Sequence, residues 1–438
     1  ASDVYKRQVA SLKAELDFGL LKKCIQLEYE RYGCMRIRFT KRDKNGDVKQ
    51  YLTEKETRDI PLKDLSGMHM EEADNLMQQW AYETFDGDDI PLCDIVMVKL
   101  PDGYNGFFIH MDHRLIDSCG LVVMINDLMQ LYTHYKFNTP YPQKLADFED
   151  VLVKDLNRAN NEKRFAKDKK FWDDQLDAWG EPLYSDIQGL DVLEASRKLH
   201  RNKTLRAADI ELDQLFVAVK DYQLEPEPTK NLIDFCMNHQ LSMTNLLLLG
   251  IRTYLSKVNN GQEDITIQNF ISRRSTHDEW TSGGSRTIMF PCRTVIAPET
   301  DFLSAAYEIQ NMQNRIYMHS NYDPALIREE MQKRYHTPKN TAYESCYLTY
   351  QPMPVKLDNP HLVQIPQHAK WFANGAATKK MYLTVSHTDN GGMNFSYHYQ
   401  TAHLAEHDME LLYYYMMRIL FKGIAEPDMS IGEIMEQV

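Results

Sequence analysis

Two apolar runs joined by a turn, followed by a change in hydrophobic period, constrain the fold of this chain more than any other stretch. The runs extend over residues 94–100 and 106–109, and Pro101 to Asn105 between them have the composition of a turn, which is typical of a hairpin of buried strands. After Ser118 the apolar residues recur at intervals of three and four, as on one face of a helix. These residues are Leu121, Met124, Ile125, Leu128, Leu131 and Tyr132. The pattern predicts that a strand ends near His113 and that Asp117 or Ser118 caps the following helix.

His113 is the strongest catalytic candidate because it lies where the predicted strand gives way to the predicted helix. Side chains at such junctions project into clefts while rigid elements hold their backbone. A neutral imidazole also suits proton transfer, since its ordinary pKa lies near the working pH. For the other histidines we predict simpler roles: strand packing for His110, and surface or channel-wall positions for His387 and His398.

Composition excludes several classes of protein. The net charge of −13 argues against general nucleic-acid binding, and no run of eighteen apolar residues is available to span a membrane. The seven cysteines are scattered without metal-ligand spacing, which favours a reducing cytoplasm and predicts no structural zinc. Residues 1–8 have no evident structural pattern and would fit an artificial leader or a sequence-assembly scar.

Helical and strand patterns alternate along the whole chain, which predicts a mixed α/β protein. Glu225-Pro226-Glu227-Pro228 is interpreted as a breaker, and the helix after it is expected to be capped by Thr229. The predicted helices cover residues 17–32, 74–85, 148–176, 229–239, 242–255, 301–319 and 407–421. The predicted strands cover residues 8–15, 34–39, 48–52, 94–100, 106–113, 264–270, 288–295, 347–351, 383–387 and 393–399.

The residues Asp112-His113-x-x-x-Asp117-Ser118 resemble the motif His-His-x-x-x-Asp-Gly of the condensation-domain superfamily. That superfamily includes the condensation domains of nonribosomal peptide synthetases and chloramphenicol acetyltransferase. The second His and the Asp of the motif are kept, whereas its first His is Asp112 and its Gly is Ser118.

Other segments resemble the same superfamily in the expected order. Arg31 to Phe39 matches the frame of Arg-His-x-x-Leu-Arg-Thr-x-Phe, and Lys170 to Leu176 is similar to Tyr-Trp-x-x-x-Leu. Ile271 to Ser275 resembles a Gly-x-x-x-x-x-Arg element, and Ile288 to Val295, after Gly283-Gly284, resembles Gly-x-Phe-x-Asn-x-x-x-x-Arg without its Asn. The agreement of separate segments is more specific than the central motif alone.

The resemblance implies an α/β fold (an α+β sandwich) of two chloramphenicol-acetyltransferase-like lobes, which form a V-shaped pseudo-dimer with a central channel. We expect an N-terminal lobe over residues 1–165, carrying the motif, and a C-terminal lobe over 166–438.

The resemblance also implies roles for individual residues. His113 would be the general base, or would position the nucleophile. Asp117 would turn away from the cleft and pair with an arginine, for which Arg36 is the first candidate and Arg273 or Arg274 the second. Residues expected to line the substrate channel are Asp112, Ser118, Gly120, Arg273, Tyr350 and Gln351. No metal site is expected.

The function implied is transfer of an acyl or aminoacyl group from a phosphopantetheine thioester, on CoA or a carrier protein, to an amine or alcohol. We expect no permanently bound cofactor and no nucleic-acid or membrane partner. Because no adenylation or carrier domain is visible, a carrier would act in trans, and basic residues within 163–170 or 197–206 would contact its phosphate or acidic surface. The absence of Gly-x-Ser-x-Gly and Asp-Phe-Gly-Trp-Gly counts against esterases and plant BAHD acyltransferases.

Two alternatives remain open. The loss of the first His and of the Gly would also fit a catalytically degenerate member of the fold that binds a carrier protein or ligand. A CoA-dependent enzyme that forms esters differs only in its acceptor.

Overall fold

Strands and helices alternate along the chain in the computed structural model, which describes residues 5–85, 87–351, 359–372 and 375–438. The strands are β1 (Tyr5–Lys13), β2 (Ile37–Phe39), β3 (Gln50–Leu52), β4 (Leu62–Asp64), β5 (Cys93–Lys99), β6 (Tyr104–Asp112), β7 (Ala208–Asp209), β8 (Val217–Leu224), β9 (Asp264–Ser272), β10 (Thr287–Val295), β11 (Thr341–Ala342), β12 (Cys346–Gln351), β13 (Gln367–Trp371), β14 (Met381–His387) and β15 (Met393–Gln400). The helices are α1 (Phe18–Arg31), α2 (Met70–Trp80), α3 (Ser118–Phe137), α4 (Phe148–Ala159), α5 (Glu162–Trp179), α6 (Asp191–Leu199), α7 (Pro226–Asn238), α8 (Met243–Val258), α9 (His277–Thr281), α10 (Phe302–Met318), α11 (Pro324–Tyr335), α12 (Glu406–Ala425) and α13 (Ile431–Gln437).

The chain forms two units that are not contiguous in sequence. The first unit contains the described residues of Ala1–Asn157, Ser272–Thr287 and Val355–Gly375, and the remaining residues form the second unit. This division differs from the contiguous lobes predicted to meet at residues 165 and 166. The two later segments join the first unit because β13 pairs with β1 and because residues 272–287 bond to the motif, contacts that no local pattern encodes.

The first unit is built on a sheet with the strand order β13-β1-β6-β5-β4. The predicted hairpin is confirmed: β5 and β6 pair antiparallel, with Ile95 opposite Ile109. Strand β6 is buried from Gly106 to Asp112, which explains its continuous apolar run. Strand β1 pairs with β6 from Tyr5 onwards, so residues 5–8 have a regular structure that no sequence pattern indicated, while residues 1–4 lie outside the described residues.

The second unit is built on a sheet with the order β10-β9-β12-β14-β15-β8, in which β14 and β15, the strands predicted over residues 383–387 and 393–399, pair antiparallel. Helix α8 is buried on nearly every side, as its apolar sequence predicts, and contacts α7, α10, α12, α13 and β12. The hydroxyl of Ser242 accepts a hydrogen bond from Asn245 N and caps α8, at the position where the helix over residues 242–255 was predicted to begin. Among the described helices, none has both the length and the apolar character that crossing a membrane requires.

Three local predictions were wrong, each for a physical reason. The helix expected to follow a breaker at residues 225–228, with Thr229 as its cap, instead begins at Pro226 with Glu225 as N-cap, because proline in the first turn of a helix loses no hydrogen bond. The helix predicted over residues 148–176 is two helices, and Asn161 caps the second by accepting a hydrogen bond from Arg164 N. The strand predicted over residues 34–39 begins only at Ile37, because Gly33–Arg36 forms a 3₁₀ turn.

Candidate active site

The motif lies at the predicted junction between strand and helix. Strand β6 ends at Asp112, residues 113–115 form a turn, and α3 begins at Ser118. Asp117 caps α3, with its Oδ1 accepting a hydrogen bond from Gly120 N at 3.0 Å, which confirms one of the two predicted caps. His113 therefore stands on a turn that is fixed at both ends.

The carboxylate of Asp117 is buried and accepts six hydrogen bonds, all within the first unit. Arg274 donates two in a bidentate arrangement, from Nη1 at 2.7 Å and from Nη2 at 2.8 Å. The other donors are Gly120 N at 3.0 Å, Arg286 N at 2.9 Å, Thr287 N at 2.9 Å and Thr287 Oγ1 at 2.9 Å. Burial opposes ionisation, but the charge of Arg274 and these donors outweigh it and lower the pKa of Asp117 to about 2.

The predicted pairing of Asp117 with Arg36 is wrong, and the second choice, Arg274, is its partner. The 3₁₀ turn over Gly33–Arg36 directs Arg36 elsewhere, and its Nη1 donates to the carbonyl oxygen of Thr53 at 2.7 Å. Arg36 was selected because the sequence around it matches a family motif. The actual pair joins two residues that are 157 positions apart in sequence, which no local motif indicates.

The segment 272–287 completes the site from a distant part of the sequence. Gly284 forms a parallel bridge with Ile116, and its carbonyl oxygen accepts a hydrogen bond from Arg274 Nη2 at 3.2 Å. Arg286 also forms a bidentate pair with Asp155 of α4, at 2.6 and 3.1 Å. The segment is thus held by ion pairs as well as by backbone hydrogen bonds.

His113 is half-buried, and the Oγ of Ser285 lies 3.5 Å from its Nδ1. Sequence reasoning did not select Ser285 as a site residue. The sequence feature that could have pointed to Ser285 is the preceding pair Gly283-Gly284, because such a pair indicates a backbone conformation that other residues rarely adopt.

Asp112, which stands where the family motif has its first His, is only 2 % exposed. Its carboxylate accepts hydrogen bonds from Arg114 at the backbone N (2.8 Å), at Nε (2.9 Å) and at Nη2 (2.7 Å). The guanidinium of Arg114 also lies over the ring of Phe39, 4.2 Å from its centre. The carboxylate of Asp112 is therefore paired with Arg114, the residue that follows His113 in the sequence.

Ser118 and Gly120 lie in the first turn of α3. Ser118 is half-buried, whereas Gly120 is buried, and its carbonyl oxygen accepts a hydrogen bond from the hydroxyl of Tyr32 at 2.9 Å. A Cβ at Gly120 would lie 2.9 Å from Cγ1 of Ile116, so Gly120 serves close packing.

The remaining residues predicted for the channel are divided between the two units. Arg273 belongs to the first unit, where its backbone N donates to the carbonyl oxygen of Arg286 at 3.0 Å. Tyr350 and Gln351 end β12 in the second unit, and the hydroxyl of Tyr350 lies 2.7 Å from Nε2 of His387. Burial raises the pKa of Tyr350 to about 12 and lowers that of His387. A channel lined by these residues stays a prediction.

His110 packs inside the first unit, with its ring centre 4.5 Å from that of Phe85. Burial, followed by the charge of Arg7, lowers the pKa of His110 to about 4. In the part of the chain that the structure describes, no three His, Cys, Asp or Glu side chains cluster as metal ligands would.

The sequence and the fold of this chain are both similar to those of known proteins. The family model for the condensation domain matches residues 2–436. One of the plipastatin synthase proteins of Bacillus subtilis (strain 168) is 20% identical over 422 residues, which cover 96% of this chain and 16% of that protein. The chain thus spans about one sixth of the length of this relative.

Two solved structures show the same fold at low sequence identity. The first condensation domain of the calcium-dependent antibiotic synthetase, in complex with a substrate analogue, superposes with a TM-score of 0.74 at 16% identity over 98% of this chain and 94% of that one. A mutant starter condensation domain of rhizomide synthetase, in complex with C8-CoA, gives a TM-score of 0.76 at 14% identity over 98% and 92% of the two chains.

The chain belongs to the condensation-domain family. This confirms the resemblance inferred from the motif and the predicted mixed α/β fold. Condensation domains are acyl or peptidyl transferases, the class of enzyme that the motif predicted.

Proposed function

We propose that this chain transfers an acyl or aminoacyl group from a phosphopantetheine thioester to an amine or alcohol, with His113 as general base. The proposal rests on the different environments of Asp117 and His113, the two residues of the family motif that this chain keeps. Asp117 has its lone pairs engaged by six donors, which suits it to holding the turn and not to proton transfer. His113, on the turn that Asp117 holds, is the titratable group suited to proton transfer at neutral pH.

The proposed reaction needs one proton acceptor and precise positioning. The acceptor nitrogen or oxygen attacks the thioester carbonyl carbon and gives its proton to His113. The new C–N or C–O bond forms as the C–S bond breaks, and the leaving thiolate takes up the proton from His113, which returns the imidazole to its neutral form. General base catalysis contributes about 10²–10⁴-fold, so the orientation of the two substrates supplies much of the remaining acceleration.

The donor is proposed as either an acyl carrier protein acting in trans or an acyl-CoA. The rhizomide starter domain bound to C8-CoA supports the CoA alternative by analogy of fold. The basic segments predicted to meet a phosphate are partly engaged within the second unit. Lys169 and Lys170 pair with Asp173 and Asp174, and Arg197 pairs with Glu194. We keep the phosphate contact and the cytoplasmic location, which the scattered cysteines support, as parts of the proposal.

The test is thioester consumption by the purified protein, offered acyl-CoAs and acyl carrier proteins with mixed amines and alcohols. We expect His113→Ala to reduce turnover by about 10²–10⁴-fold, the usual contribution of a general base. His277→Ala is the matched control, because His277 is an exposed histidine of the same unit, and it should retain wild-type turnover. Circular dichroism and a thermal melt check that both variants fold.

Turnover that survives in His113→Ala would contradict the role of His113. The second candidate function, a carrier- or ligand-binding protein without chemistry, is motivated by Asp112 and Ser118 in place of the family's His and Gly. It predicts no turnover with any donor, together with saturable binding of an acyl carrier protein or acyl-CoA by calorimetry.

A further inference from the structure

We propose that Ser285 is a positioning residue for His113, which it orients by accepting a hydrogen bond from imidazole Nδ1. The proposal rests on the proposed function, in which His113 accepts a proton. The two side chains are both half-buried in the first unit, and Ser285 Oγ lies 3.5 Å from Nδ1. Ser285 is 172 positions away in sequence, so this contact exists only because the segment 272–287 is fixed against the motif.

The backbone on both sides of Ser285 is bonded to the network that holds the motif. Before it, the carbonyl oxygen of Gly284 accepts a hydrogen bond from Arg274 Nη2 at 3.2 Å. After it, Arg286 N donates to Asp117 Oδ2 at 2.9 Å. Because Asp117 also caps the helix that follows His113, one carboxylate fixes the turn that carries the imidazole and the segment that carries the hydroxyl.

The two glycines before Ser285 restrict its position further. Gly283 and Gly284 have φ values of +83° and +82°, in the left-handed region that favours glycine. A Cβ at Gly283 would lie 2.5 Å from Sγ of Cys34, and one at Gly284 would lie 2.8 Å from Cε2 of Phe148. The segment therefore lies against the rest of the first unit more closely than any other residue type at these two positions would allow, which brings Ser285 to His113.

The chemistry of the contact follows from the two nitrogens of imidazole. When Nδ1 carries the proton and donates to Ser285 Oγ, Nε2 keeps the lone pair that accepts the proton of the attacking group. The same donor remains after Nε2 is protonated, and hydrogen bonds from a charged donor are the stronger ones, so the contact favours the imidazolium. A separation of 3.5 Å is long, but catalytic hydrogen bonds are commonly long outside the reactive complex and shorten within it.

The experiment compares Ser285→Ala with Ser285→Thr, which keeps the hydroxyl, and with Ser282→Ala as matched control. Ser282 is buried in the same segment, and its Oγ has no hydrogen-bond partner among the described residues. The first readout is the ¹⁵N signal of His113 Nδ1 in histidine-labelled protein, titrated with pH and assigned with His113→Gln. The second readout is the pH profile of kcat/KM with the thioester donor found active.

We expect Ser285→Ala to change the Nδ1 signal, to lower the pKa of His113, and to reduce kcat by about 3- to 10-fold with KM unchanged, since one hydrogen bond is lost. Ser285→Thr, which keeps the hydroxyl, and Ser282→Ala should both give wild-type values in both readouts. A Nδ1 titration that is identical in Ser285→Ala and Ser282→Ala would overturn the proposal. If the wild type shows no turnover, the proposed function fails, and the Nδ1 titration alone still decides whether Ser285 positions His113.

Discussion

Each of the two units buries a paired aspartate, and the two sites differ in what they hold in place. In the second unit, Asp186 accepts hydrogen bonds from Lys380 Nζ at 2.8 and 2.7 Å, from Gln188 N at 3.0 Å and from the hydroxyl of Tyr184. In the first unit, the donors to Asp117 include Arg286 N, which adjoins Ser285 next to His113. The same chemistry therefore stabilises the fold at both sites, and at Asp117 it also fixes the segment that carries Ser285 next to His113.

The largest expected effect is on stability, and it should be similar at the two sites. Removing one partner of a buried ion pair leaves an uncompensated charge, so Asp117→Ala and Asp186→Ala should each lower the free energy of unfolding by about 3–5 kcal/mol. Urea denaturation at pH 7 measures both values. A loss below about 1 kcal/mol at either site would contradict the expectation that the two buried ion pairs stabilise their units to a similar extent.

Variants at the two sites should differ in activity, although they should be similar in stability. The milder variants Asp117→Asn and Asp186→Asn remove the charge and keep the shape. We expect the folded fraction of Asp117→Asn to lose thioester turnover, because Arg274 and the backbone donors near Ser285 lose their charged acceptor. Asp186→Asn should keep the wild-type specific activity, and an equal loss in both variants would make Asp117 a purely structural residue.

A smaller effect is expected on the free energy of unfolding at acidic pH. The pKa of Asp117 is about 2 in the folded chain and about 3.9 in an unfolded one. A lowered pKa stabilises the fold above the unfolded value, so Asp117 should contribute about 2–3 kcal/mol that is fully present above about pH 5 and is lost as the pH falls towards 2. Urea unfolding between pH 3 and 7 should show a steeper loss in the wild type than in Asp117→Asn, and parallel curves would disagree with this assignment.

The smallest effect is expected at an exposed ion pair close to the site. Lys154 Nζ lies 3.0 Å from Asp278 Oδ2, and both side chains are about half exposed. Solvent screens such pairs, so Lys154→Ala should change the free energy of unfolding by no more than about 0.5–1 kcal/mol. A loss comparable to that of Asp117→Ala would mean that proximity to the site, not burial, sets the cost.

The local parts of the fold and site could be predicted from sequence, because they depend on neighbours a few residues away. The hairpin over β5 and β6, the cap by Asp117 and the cap by Ser242 follow from hydrophobic period and from polar residues at helix starts. The start of α7 was missed because proline both breaks and begins helices, and only the residues after it decide which.

The distant contacts of the site could not be predicted in the same way. Arg36 matched a family frame, yet the pairing went to Arg274 because the whole segment 272–287 lies against the motif. The Gly283-Gly284 pair was visible in the sequence, but nothing local shows that its backbone fits against Cys34 and Phe148. The residue that contacts His113 was missed for that reason.

The separation of 157 positions between Asp117 and Arg274 also sets when the site can form. Closing so long a loop costs chain entropy before any contact repays it, and a chain emerging from the ribosome exposes the motif well before Arg274. Until then the carboxylate of Asp117 keeps its hydration, because burying it without its guanidinium would be unfavourable. The motif turn is therefore synthesised before the segment that completes it, and it reaches its native arrangement only once Arg274 is available.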